Sequence, residues 1–198
     1  MNAANKQRMT TETLVLGAIL TALVVILQCM GQFIRFGMFS ISLVLIPIVI
    51  GAAICGPKIS TWLGFVFGVV VLFTDAAAFL AISIPGTIVT VLVKGIACGW
   101  VAGLVCKALE KKNPYVATLI AAIACPIVNT GVFLLGCVLF FFETIQTWAV
   151  GMGFENTVQY MIFGLVGGNF LFEMASNIIL SSVVVRVLGA VKKTGVRR

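Results

Sequence analysis

The chain contains no histidine. Zinc-protease and His-dependent hydrolase chemistry therefore lack their usual ligand or base. Charge is also scarce: 10% of the 198 residues are Asp, Glu, Lys or Arg, and only six are acidic. No paired carboxylates share a short spacing. There is no G-x-x-x-x-G-K-[ST] run to cradle ATP and no G-x-S-x-G elbow. The six cysteines (Cys29, Cys55, Cys98, Cys106, Cys125, Cys137) are scattered singly, with no C-x-x-C pair. They read as small, soft packing residues. A net charge of +7 would suit nucleic acid, but the basic residues punctuate the ends of apolar runs and form no basic domain. No metal site, cofactor or nucleic-acid partner is expected, and a membrane enzyme is a poor fit. An ion channel would call for a pore-lining repeat, and none is present.

What the chain has in abundance is apolar length. Hydrophobic residues make up 61% of it, in near-continuous runs from Thr13 to Leu188. A helix needs about 20 mostly apolar residues to cross the hydrocarbon core, and only helices and closed barrels satisfy their backbone there. The expectation is an all-α integral membrane bundle of six transmembrane helices, forming a single domain over residues 1–198. The helices are placed at about 13–33, 39–55, 59–73, 85–109, 115–142 and 157–188. Residues 75–84 read as a connection holding a partial turn, and 143–156 as a loop. Pro47 and Pro126 fall inside helices two and five and should kink them. The run Leu14–Leu27 lacks a small-x-small cleavage site and leads into further spans, so it reads as a retained helix.

Positive charge sets the orientation. With the N-terminus in the cytoplasm, Lys6, Arg8, Lys58, Lys107, Lys111, Lys112, Arg186, Lys192, Lys193, Arg197 and Arg198 all lie inside. Arg35 is then the lone basic residue of the outer loops, which also hold Asp75, Glu143 and Glu155. Both termini are cytoplasmic, as an even number of spans requires.

Polar residues inside spans are the candidate functional groups. Lys94 lies about 13 Å below Pro85, and Glu173 about 24 Å below Thr157, at 1.5 Å per residue. Two readings stand: a buried Lys94–Glu173 pair, or a cation awaiting a substrate carboxylate or phosphate. Asn169, Glu173 and Asn177 recur every four residues on one helix face. Asn129 sits mid-span beside Pro126, whose missing N–H leaves a backbone carbonyl unbonded. These residues either bond between helices or line a polar cavity. Gln28, Gln32 and Arg35 end helix one, as interfacial residues or part of a lid. Trp148, Phe154 and Tyr160 suit an interfacial aromatic belt. Gly64/Gly68, Gly99/Gly103, Gly164/Gly168 and Ala18/Ala22 form small-residue faces, read by periodicity as internal packing.

Three local patterns carry a resemblance. They are Ala18-Ile-Leu-Thr-Ala22; Phe39-Ser-Ile-Ser-Leu-Val-Leu-Ile-Pro47 running through Gly56-Pro57-Lys58 to Gly64-Phe-Val-Phe-Gly68; and the polar content of helices four to six. In their order, over the whole chain, they resemble the substrate-binding S components of energy-coupling factor (ECF) vitamin transporters. The resemblance implies a capture subunit of an ECF-type ABC importer in a prokaryotic plasma membrane. Its partners would be the lipid bilayer, a membrane coupling (T) protein and two ATPase subunits that hydrolyse the ATP. The S component would topple in the membrane to release substrate inward. Ala18 and Ala22 would meet the coupling protein, residues 31–38 including Gln32 and Arg35 would gate the pocket, and Lys94, Asn129, Asn169 and Glu173 would contact substrate. Pantothenate fits best, since Lys94 suits one carboxylate and the asparagines suit hydroxyl and amide groups. Few aromatics can be assigned to the pocket, which weighs against a flat flavin or pterin. Riboflavin, folate or another micronutrient remain alternatives, as do a ligand-free assembly subunit and a stand-alone facilitator.

Overall fold

The computed structural model describes residues 11–31, 35–36, 39–40 and 43–195. Helix α1 covers Thr11–Gly31, and the two-residue strands β1 (Arg35–Phe36) and β2 (Phe39–Ser40) pair antiparallel. Helix α2 (Leu45–Cys55) and α3 (Pro57–Thr74) follow, then the single turn α4 (Ala77–Leu80) and α5 (Ile84–Leu109). Helix α6 (Pro114–Phe140) leads into α7 (Phe142–Gly151). The last span is composite: α8 (Thr157–Gln159), a π-helical segment (Tyr160–Val166) and α9 (Gly167–Gly195). Five of the helices are long and apolar enough to cross a membrane, with α2 as a shorter apolar helix.

Two differences from the sequence reading have local causes. The second helix starts at Leu45 rather than near residue 39. Phe39–Ser40 pairs with β1 instead, and serine and β-branched residues are poor helix formers. Pro47 consequently lies in the first turn of α2, where its missing N–H interrupts no intrahelical bond. The stretch read as a loop at 143–156 contains α7. Glu143 in its first turn complements the helix dipole, while Ile145 and Ala149 are buried. Trp148, Phe154 and Tyr160 make ring contacts within the bundle. Trp148 packs edge-on against Phe79, with ring centroids 5.7 Å apart. Phe154 packs at 5.4 Å against Tyr160, which is buried.

The helix ends are set by local chemistry. Gly56 adopts φ +84° between α2 and α3, a conformation open to glycine at no steric cost, and Pro57 begins α3. The Asn113 side chain accepts from the backbone N–H of Tyr115 at 2.9 Å and of Val116 at 3.3 Å, capping α6. Lys58, Lys107, Lys111, Lys112 and Arg186 thereby come to one end of the bundle, and Asp75, Glu143 and Glu155 to the other.

Helices α3 and α5 run antiparallel along a glycine seam. A Cβ added at Gly64 would collide with the carbonyl of Gly95, one at Gly99 with the carbonyl of Ser60, and one at Gly103 with Pro57. The expected Gly64/Gly68 and Gly99/Gly103 faces are thus the contact itself. Gly164 instead packs beneath the ring of Tyr160 in its own span, and a Cβ added at Gly168 would meet nothing within 4 Å. Ala18 and Ala22 are exposed on α1, so their reading as internal packing is overturned.

Asn177 takes the structural role. It is buried, and its Nδ2 donates to the carbonyl of Ala122 at 2.8 Å. Residue 126, four positions on, would normally donate to that carbonyl, but Pro126 has no N–H. Asn177 thus supplies from α9 the bond that the proline withholds, and its Oδ1 accepts from Ser181 at 3.2 Å. Interhelical side-chain bonds in membranes average about 0.6 kcal/mol, with a maximum near 1.7. Asn177→Leu is expected to lower stability by about 1–2 kcal/mol. Pro126→Ala restores the backbone donor, so the same substitution should cost much less in that background. Equal losses in both backgrounds, read by thermal unfolding in detergent, would show that Asn177 acts elsewhere.

Candidate functional site

Two apolar clusters make up the interior. One joins α1, α2, α3, α5 and α6 around Val24, Ile48, Leu63 and Cys125. The other joins α4, α6, α7 and the π segment around Phe79, Phe141, Ile145 and Tyr160. A cavity opens where they meet, drawing Phe67, Val71 and Val91 from the first and Phe79, Phe141 and Leu165 from the second. The enclosed part of the cavity is about 80 Å³, and the space out through its open mouth reaches about 800 Å³.

Helix α5 contributes Thr87, Thr90, Val91 and Lys94 to the wall, one face at i, i+3, i+4 and i+7. The glycine seam holds the rotation of this helix, because Gly95 can only back onto α3. The Lys94 ammonium then sits over two ring faces, 5.5 Å from the centroid of Phe67 and 5.3 Å from that of Phe133. Both lie within cation–π range. Glu173 and Asp75 also line the cavity and attract the ammonium electrostatically. Lys94 and Glu173, the two charges expected to meet, thus share one cavity wall.

Helix α6 adds Asn129, Thr130 and Phe133, and α9 adds Asn169, Phe170 and Glu173. Among the described residues, four buried side-chain oxygens have no hydrogen-bond partner: Gln28 Oε1, Thr90 Oγ1, Asn129 Oδ1 and Asn169 Oδ1. All four residues line this one cavity. Leaving such an atom unpaired costs about 1–3 kcal/mol, and polar atoms in a folded interior are nearly always satisfied. Four such atoms around one space describe a surface complementary to something polar that enters it.

Sequence reasoning brought Lys94, Asn129, Asn169 and Glu173 forward, and all four line the cavity. Gln32 lies outside the described residues, and Arg35 is described by its backbone alone, in β1. Thr90 was missed, although it stands one helical turn before Lys94 on the same face. Asp75 was read as a loop residue. Gln28, expected as an interfacial residue or part of a lid, is 2% exposed. The expectation of few aromatics fails too: Phe67, Phe79, Phe133, Phe141 and Phe170 all line the cavity. They come from α3, α4, α6, the α6–α7 junction and α9, so no single run of sequence reveals that they converge.

A sequence model of the family described as ECF transporter, substrate-specific component, matches residues 12–189. No curated protein matches the chain.

Proposed function

The chain belongs to the ECF transporter substrate-specific components, and from that premise we propose that the cavity around Lys94 captures a vitamin or related micronutrient. The family makes the chain a substrate-specific subunit of an ECF importer. ATP hydrolysis falls to partner ATPases, working through a membrane coupling protein that meets the exposed Ala18–Ala22 face of α1. Both termini lie in the cytoplasm, and the Asp75 end of the cavity faces outward.

The observation that carries this reading is the convergence of the four unpartnered oxygens with one cation on a single cavity. Pantothenate is the first ligand to test. Its carboxylate suits Lys94, and its two hydroxyls and amide N–H supply donors for oxygens that lack them. Asn129, Asn169 and Thr90 are the contacts assigned to it, with Glu173 deeper. The five phenylalanines support riboflavin as a second reading, since offset or edge contacts with a flat ring add about 0.5–1.5 kcal/mol per pair.

A thermal-shift screen of the detergent-purified protein tests this. The panel is pantothenate, riboflavin, folate, thiamine, biotin, niacin and cobalamin. A ligand at one hundred times its Kd stabilises the native state by about 2.7 kcal/mol. The expected result is one strong, saturable shift. A flat panel in a well-folded sample would overturn the vitamin reading.

A further inference from the structure

One residue in the cavity has a history unlike the others. Gln28 comes from α1, the helix that carries the exposed Ala18 and Ala22, and it is α1's contribution to the cavity wall. Its Nε2 donates to Asp75 Oδ2 at 2.6 Å and to Thr74 Oγ1 at 3.1 Å. A carboxylate only accepts, so the amide cannot be turned the other way round. Its Oε1 is thereby left as a true acceptor, buried and without a partner.

The position of this acceptor matters as much as its chemistry. Asp75 caps the end of α3, so Gln28 Oε1 lies at the end of the cavity where α3 stops and α5 begins. Lys94 lies ten residues into α5, about 15 Å along its axis. The cavity thus offers a cation at depth and an oriented acceptor toward its other end. We infer that Gln28 determines specificity: it selects a ligand whose acidic or carbonyl end reaches Lys94 and whose opposite end carries a hydroxyl or N–H donor. This deepens the capture reading and rests on it. The Asp75 and Thr74 contacts are the positioning device. A ligand without a donor at that end leaves Oε1 unpaired in the bound complex, and sites built to bond a hydroxyl reject analogues that lack it by large factors.

Two ligand pairs test the inference by calorimetry on the intact protein in detergent. One is pantothenate against its analogue lacking the terminal hydroxyl; the other is riboflavin against lumiflavin, which lacks the hydroxylated chain. Wild type should prefer the hydroxylated member of the pair it binds by at least tenfold. Gln28→Met keeps the length and removes the acceptor, so the preference should fall to about onefold to threefold, mostly through weaker binding of the hydroxylated member. Asp75→Asn lets the amide turn, and should give an intermediate preference even where Gln28→Met folds poorly. A merely structural Gln28 would lower thermal stability and leave the ratio intact, which would overturn the assignment. If wild type binds neither parent, the capture reading itself fails for these vitamins, and the specificity assignment falls with it. Binding with no wild-type preference overturns the Gln28 assignment alone.

Discussion

Lys94→Met should abolish ligand capture while leaving the fold nearly as stable as wild type. Methionine matches the stem of lysine, so the substitution removes the charge and little volume. The ammonium touches the faces of Phe67 and Phe133, contacts worth about 0.5–2 kcal/mol each. Against that loss stands the desolvation cost of holding a cation in the bundle, which Met does not incur. The two terms largely offset, and the melting temperature should move by only a few degrees. Binding behaves differently. Truncating one partner of a buried charge pair costs about 2–5 kcal/mol, so the affinity for an anionic ligand should fall by at least about 30-fold. Lys94→Arg keeps the charge on a bulkier head and should recover part of it.

The competing view, in which Lys94 clamps the helices, makes the opposite forecast. Breaking a buried ion pair from one side costs about 3–5 kcal/mol. Calorimetry and thermal unfolding on one preparation separate the two views. A large stability loss with affinity retained in the folded fraction would remove Lys94 from the site.

How much of this was legible in the sequence depends on the range of the interaction. The long spans were readable because hydropathy over about twenty residues is a local property. Lys94, Asn129, Asn169 and Glu173 were readable because an ionisable or amide group inside a span is conspicuous in itself. Partnership was not readable. Asn169, Glu173 and Asn177 share a face of one helix, yet Asn177 bonds to Ala122 while Asn169 and Glu173 line the cavity. That division depends on Pro126 lying opposite Asn177 on another helix. Gln28 was hidden for a similar reason: nothing near it in sequence says that Asp75, 47 positions away, takes its amide. The α7 helix was missed because its polar residues, Glu143, Gln146 and Thr147, resemble a loop unless Ile145 and Ala149 are known to face a core.

Gly64→Val should be the most damaging single change in the protein, although it touches no cavity atom. A side chain at Gly64 meets the backbone of α5, with the Gly95 carbonyl in contact and the Gly99 Cα at 3.4 Å from the new Cβ. Backbone cannot rotate aside as a flexible side chain can, so α3 and α5 must separate or turn. Overpacking among side chains already costs about 1–3 kcal/mol, and forcing two helix backbones apart along a whole seam costs more. The site goes with the seam, because Phe67 on α3 and Lys94 on α5 stand on either side of it. The expected outcome is loss of monodisperse protein on gel filtration, or folded protein with ligand affinity gone. Gly131→Ala supplies the control within the same bundle. Nothing lies within 4 Å of a Cβ there, and replacing a mid-helix glycine by alanine gains about 0.5–1 kcal/mol. If both variants behaved like wild type, the close approach of α3 and α5 would not be what holds Lys94 over its two rings.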